Sequence, residues 1–289
     1  MSALKSSEVK VLKKKREFTP KKIAIMASAY LIAWFFVYPY INMLMTSLKP
    51  HGELYTSPTH HVPIHWKFIN YIEVWKHAPI AGFLKSSLIV SICATILVLL
   101  VSIPAAYYVA RNRFRGRGFF LLLVLATQMF SPTALIIGIF REVKFFHGLN
   151  GYPALIVVNA GFNLAFAVWL LSGFFASVPV EIEEAAMVDG CSKFKALTKI
   201  TLPVALPGIV TAVIFTFVST WNEFTVALTV MSSLPKEPIS VGITTFIGEY
   251  DVAWEYLFAT TTIAIIPVVI LFISIEKYLV GGLTAGSVK

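Results

Sequence analysis

Hydrophobic positions gather into six long runs, at residues 23–48, 86–110, 119–140, 154–178, 209–231 and 254–275, with polar and charged residues confined to the stretches between them. About 20 consecutive apolar residues are needed for a helix to cross the hydrocarbon core of a bilayer, and each run meets that length. The pattern predicts an all-α integral membrane protein with six transmembrane helices. The first run follows a lysine-rich stretch, yet it is too long for a signal-peptide core and has no small-residue cleavage site before Lys49, so it reads as a retained span.

Composition agrees with a chain solvated by lipid. Hydrophobic residues make up 57% of its 289 positions and charged residues only 13%, about half the usual charged share. Mean hydropathy is +0.77. Such a chain has too little polar surface to cover a soluble globule of this size.

The net charge of +9 invites a nucleic-acid reading, but the cations are placed as topology signals instead. With the N-terminus inside, segments 1–22, 111–118, 179–208 and 276–289 hold seventeen Lys and Arg, against seven in 49–85, 141–153 and 232–253. Excess Lys and Arg mark cytoplasmic loops, so both termini are expected in the cytoplasm. The basic tail 1–22 and the turn carrying Arg111, Arg113, Arg115 and Arg117 are then expected to face anionic lipid.

The loop between the fourth and fifth runs is distinctive. Pro179 suits a first helical position, and Glu181, Glu183 and Glu184 put negative charge in the opening turns. Gly190 can end that helix in the left-handed conformation. Ser192 can cap a second helix, which Pro203 is expected to terminate. Ala185 and Ala186 would let a partner approach the first helix closely, and Phe194, Leu197 and Thr201 give the second a narrow apolar stripe. The pair could dock into a groove on another protein or lie flat on the membrane surface.

Glu184-Ala185-Ala186, Gly190, Ile200 and Leu202-Pro203, at these spacings, resemble the EAA loop of binding-protein-dependent ABC permeases. Ser219 to Phe224, the tail from Gly281 to Lys289, and Asn70-Tyr71 are similar to the maltose-type permeases of carbohydrate importers, so the likeness covers roughly residues 22–289. Ser86 departs from the asparagine that many relatives carry there.

The resemblance implies a type I importer permease fold in residues 23–289, with 179–208 as the coupling loop and 276–289 as a cytoplasmic tail. It implies that Glu184, Ala185, Ala186, Asp189, Gly190, Leu202 and Pro203 couple to an ATPase. The implied partners are a homologous second permease, two ATPase copies and an extracytoplasmic substrate-binding protein, and the implied location is the inner membrane of a prokaryote. No cofactor is expected on this chain, because ATP and Mg belong to the partner; no GxxxxGK[ST] motif occurs.

Glu223 is the one acid deep within a run, about 21 Å along its helix from Ile209. Buried acids in membranes are functional candidates by default. Gln128, Asn159, Asn163, Trp221, Asn222, Glu223 and Phe224 are therefore candidates for a translocation pathway or gate. The alternative for Glu223 is a hydrogen bond across helices or to a second permease. Pro104, Pro132 and Pro267 are candidate kink points.

No catalytic constellation lies at bilayer depth, and the histidines at 60, 61 and 65 lack an acidic or cysteine cluster that would make a metal site. An ion-coupled transporter would call for several intramembrane carboxylates or an inverted repeat. A sugar is the expected cargo. Glycerol-3-phosphate, a polyamine or a peptide carried by the same machinery is the alternative.

Overall fold

The computed structural model describes residues 20–58 and 60–285, with side chains through 278. Most of the basic tail and the last four residues, both singled out by sequence, lie outside the described residues. The rest is helical, with one isolated bridge between Ile247 and Val252.

Helix α1 spans Pro20–Ser47 and is followed by a 3₁₀ turn, His51–Tyr55, and the short α2, Asn70–His77. Three long helices build the centre: α3 (Ile80–Arg111), α6 (Tyr152–Ser177) and, after the loop, α10 (Leu206–Trp221). Between α3 and α6 lie α4 (Arg117–Thr127) and α5 (Pro132–Phe145). The loop holds α7 (Val180–Val188), α8 (Lys193–Ala196), a π-helical turn (Leu197–Thr201) and α9 (Leu202–Val204). Beyond α10 come α11 (Thr225–Val230), α12 (Ile239–Gly242) and α13 (Trp254–Ala285).

Two of the six expected spans are not straight. The run 119–140 is divided between α4 and α5, whose axes differ by 86°. Proline disfavours helical geometry in the residue before it and lacks an N–H. Ser131 accordingly leaves the helix (φ −68°, ψ 137°), and its Oγ accepts the Thr133 N–H at 3.3 Å to start α5. The run 209–231 is interrupted after Trp221 and resumes at Thr225. By contrast, α3 and α13 continue through Pro104 and Pro267 without interruption, so of the three expected kink points only Pro132 coincides with a break.

Small polar residues let the central helices approach one another. Ser87, Ser91 and Ser102 on α3, Thr216 and Thr220 on α10, and Thr260 on α13 are all buried. Short side chains at such contacts bring backbones close, which is how membrane helices gain packing without a hydrophobic drive. Ser86 shares a hydrogen bond with the Tyr152 hydroxyl at 2.9 Å, joining the N-terminal ends of α3 and α6.

Helix α1 stands apart. Its residues are exposed along the first twenty positions, and it meets the bundle near its C-terminal end, where it packs on α13. Asn70 and Tyr71 secure that end. The buried Asn70 amide donates to the Ser47 and Lys49 carbonyls, each at 2.9 Å, and the Tyr71 hydroxyl lies 2.8 Å from Ser47 Oγ.

Candidate functional site

Chemistry concentrates at the end of the bundle that carries α7 and α8. Helix α7 begins one residue later than expected, with Pro179 as its cap (φ −57°, ψ 133°). On a helix, residues three apart share a face, so Glu183 and Ala186 turn inward together while Glu184 and Ala185 turn outward.

The inward acid is fully engaged. Glu183 Oε1 accepts from Arg111 Nε at 2.9 Å, Arg111 Nη2 at 2.5 Å and Thr201 Oγ1 at 2.5 Å, while Oε2 accepts the Tyr107 hydroxyl at 2.8 Å. Arg111 Nη1 donates to the Val178 carbonyl at 3.0 Å. Side-chain exposure is 9% for Arg111 and 4% for Glu183. Four segments thus meet at one ion pair: the ends of α3 and α6, the opening of α7, and, through Thr201, the π turn leading to α10. Burial pushes the Glu183 carboxyl upward, but the bonds from Arg111, Thr201 and Tyr107 outweigh it and hold it below the ordinary carboxylate range.

Beneath this ion pair a hydrophobic cluster of Ala106, Leu171, Phe175, Val178, Ala205 and Ala212 joins α3, α6 and α10, with Leu202 packed against it. Arg111 was expected in a lipid-facing turn. It instead points into the protein, because an acid with satisfied geometry sits within reach.

The turn between α7 and α8 follows its expected chemistry. Gly190 has φ +87°, where a side chain would be strained. Its N–H bonds the Met187 carbonyl at 3.0 Å and the Cys191 N–H bonds that of Ala186 at 2.9 Å, closing α7. Ser192 caps α8 by accepting the Lys195 N–H at 3.4 Å. Pro203 does not stop the second helix. The π turn at Leu197–Thr201 widens the hydrogen-bond register, the missing N–H of Pro203 is tolerated, and the helical path ends at Ala205. The axis then bends by 76° into α10.

Ala185 and Ala186 do not form a common docking face: Ala185 is exposed, whereas Ala186 is buried against its own chain. The exposed apolar surface comes from Val188, 88% exposed beside Ile182 and Met187, none of which the sequence singled out, and from Phe194 of the expected stripe, 74% exposed. Glu184, Asp189 and Pro203 are exposed too, and Leu202 is half-buried. Of the expected stripe, Phe194 faces outward and Thr201 inward, so the stripe is split between surface and core.

The proposed pathway residues also divide. Asn159 and Asn163 are buried within the bundle and donate to backbone carbonyls of their own helix, Leu155 at 2.9 Å and Asn159 at 2.8 Å. Trp221 is buried and stacks with Phe217 at 5.6 Å. All three are enclosed within their own chain in this structure.

Glu223 is spent on the backbone. Its carboxylate accepts the Val226 N–H at 2.7 Å and the Ala227 N–H at 3.0 Å, capping α11 after the break, and its carbonyl accepts Ser240 Oγ at 2.7 Å. Gln128 is exposed and donates to the Phe162 carbonyl at 2.8 Å. Phe224 is exposed, and Asn222 lines an open groove of about 520 Å³ with Ser219, Phe215 and Phe272.

Residues 102–284 match the family model described as "Binding-protein-dependent transport system inner membrane component". Over 94% of its length the chain is 34% identical to the sulfoquinovosyl glycerol transport system permease protein SmoH of Agrobacterium fabrum, covering 95% of that protein. It is 32% identical to the trehalose/maltose transport system permease protein MalG of Thermococcus litoralis, over 95% of this chain and 99% of that one. Its fold is similar to a chain in the crystal structure of a bacterial ABC transporter involved in the import of the acidic polysaccharide alginate. The TM-score is 0.75 and the identity 22%, over 91% of this chain and 99% of that one.

Proposed function

The chain belongs to the family of inner-membrane components of binding-protein-dependent transport systems, and we propose that it is the permease subunit of an ATP-driven sugar importer. It is a non-catalytic, multi-pass membrane subunit, and ATP hydrolysis belongs to a separate protein. Relatives named for sulfoquinovosyl glycerol, diacetylchitobiose and trehalose/maltose support an oligosaccharide or glycoside as cargo.

One observation carries the mechanism: the buried Arg111–Glu183 pair, which ties the exposed α7–α8 surface to the ends of α3 and α6 and the start of α10. An ATPase that grips Val188 and Phe194 from outside moves a unit fixed to three central helices. Closure of two ATPases would displace α7, and the spans of this chain and of a second, homologous permease would tilt to open a cavity toward the binding protein. In this reading α7 lies in the cytoplasm with both termini, as the Lys and Arg distribution favours. The chain itself holds no cofactor; ATP and Mg act in the partner.

Glu184, Ala185, Asp189 and Gly190 are proposed as contact and turn residues of the docking surface, with Leu202 and Pro203 carrying its motion back to the bilayer. Gln128, Asn222, Glu223 and Phe224 remain the pathway side of the proposal, with Glu223 shaping the break that exposes its neighbours. Uptake of labelled oligosaccharides by proteoliposomes holding the purified complex tests the reading. ATP-dependent uptake that requires the binding protein is expected. Gradient-driven uptake by this chain alone would overturn it, and selective uptake of glycerol-3-phosphate would replace the cargo.

A further inference from the structure

A groove of about 510 Å³ opens on the outer surface between α4 and α6, lined by Arg117, Leu121, Trp169, Leu170, Gly173 and Phe174. Its walls are mostly apolar: besides Arg117 only Ser172 and Ser177 are polar, and both hydroxyls donate to carbonyls of their own helix. Gly173 helps keep it open, since nothing stands within 4 Å of where its Cβ would be. From Trp169 to Ser177 the groove follows α6 for about 12 Å, close to the roughly 15 Å depth of one leaflet's hydrocarbon.

The charge at its mouth lacks a counterpart. Among the described residues Arg113, Arg115 and Arg117 have no carboxylate partner and no side-chain hydrogen bond, although Arg111 in the same basic stretch has both. The left-handed Gly116 (φ +92°) turns the chain so that Arg117 begins α4 directly after the other two. A cationic cluster at the membrane interface, continuous with an apolar slot running into the bilayer, complements a molecule with an anionic head and an alkyl tail. Basic pockets between membrane helices hold lipid headgroups by this logic.

We propose that the α4–α6 groove is a binding site for one anionic glycerophospholipid, its phosphate at Arg117 and an acyl chain along Trp169, Gly173 and Phe174. None of its lining residues belongs to the α7–α8 surface or to the candidate pathway residues. A bound lipid would wedge α4 against α6 on one side of the 86° break and so hold the angle between the two halves of that span.

The test uses the full chain with its copurifying subunits, reconstituted in phosphatidylethanolamine nanodiscs containing phosphatidylglycerol, with retained lipids counted by native mass spectrometry after transfer to detergent. One phosphatidylglycerol per chain is expected. Arg117→Gln should lower its preference over phosphatidylethanolamine about fivefold, the factor for one basic residue at a membrane surface. Gly173→Leu, which fills the slot, should eject both lipids while subunit copurification persists. Equal retention by wild type and both variants would overturn the site. So would efficient disulfide trapping of Gly173→Cys by a helix of another subunit, which would make the groove a protein interface.

Discussion

The Arg111 guanidinium and the Glu183 carboxylate, 72 positions apart in sequence, form a two-pronged buried pair with Nε at 2.9 Å and Nη2 at 2.5 Å from one oxygen. Removing one member of such a pair strands the other charge, which costs about 3–5 kcal/mol. Glu183→Ala should therefore lower the thermal midpoint of the purified chain and release α7. The expected readout is loss of ATPase copurification with membrane insertion retained. Replacing both residues by leucine should restore part of the stability, and a double variant no better than the singles would disprove the pairing energetics.

The pair also sets an acid limit. The Glu183 carboxyl is held below its unfolded value of about 4.3. Its contribution is therefore fully present above that value and lost as pH falls through the lower folded value. Thermal melts of wild type and Glu183→Gln should converge as pH falls below about 4 and stay separated by a constant amount from pH 5 to 8. Convergence already near pH 6 would contradict the assignment.

Exposed apolar residues at the loop, in contrast, should be dispensable for folding. Val188→Asp and Phe194→Asp are expected to leave folding stability within about 0.5 kcal/mol of wild type, as surface changes usually do. Both should reduce ATPase copurification and ATP-driven uptake at least tenfold. Ala186→Leu should behave oppositely, destabilising the fold because that position is enclosed. Normal coupling in both Asp variants would move the docking surface elsewhere.

Glu223 offers a test of pathway against scaffold. As a backbone cap, it is expected to tolerate Gln, which keeps an acceptor, and to suffer from Ala by about 1–2 kcal/mol. Uptake normalised to folded protein should be near wild type for Glu223→Gln. A loss of transport in that variant with unchanged stability would return the carboxylate to the pathway.

Four unbroken candidate spans, α1, α3, α6 and α13, and the α7–α8 loop are legible in the sequence because their signals are local: runs of about 20 apolar residues, a proline before α7, Gly190 after it, Ser192 before α8. The fate of Arg111 is not local. It reads as one of four arginines in a basic turn, and only the packing of α3 against α6 and α7 brings it to Glu183. The break at Asn222–Phe224 was hidden for another reason: Glu223 is a cap for a helix whose restart no apolar pattern announces. Asn159 and Asn163 misled because a polar side chain on a membrane helix can satisfy itself on its own backbone.

Helix α3 runs from the Arg111 ion pair to Phe83, whose ring fills the space beside Gly242 in the opposite surface layer, while Ser87 accepts the Ile239 N–H at 2.7 Å. With 32 residues it is roughly 48 Å long. A stiff rod of that length pivoted at one end turns a tilt of about 5° into a sweep of about 4 Å at the other. α3 is therefore proportioned as a lever between the α7–α8 loop and α12 at the opposite end of the bundle. No chain of small side-chain shifts between them is required.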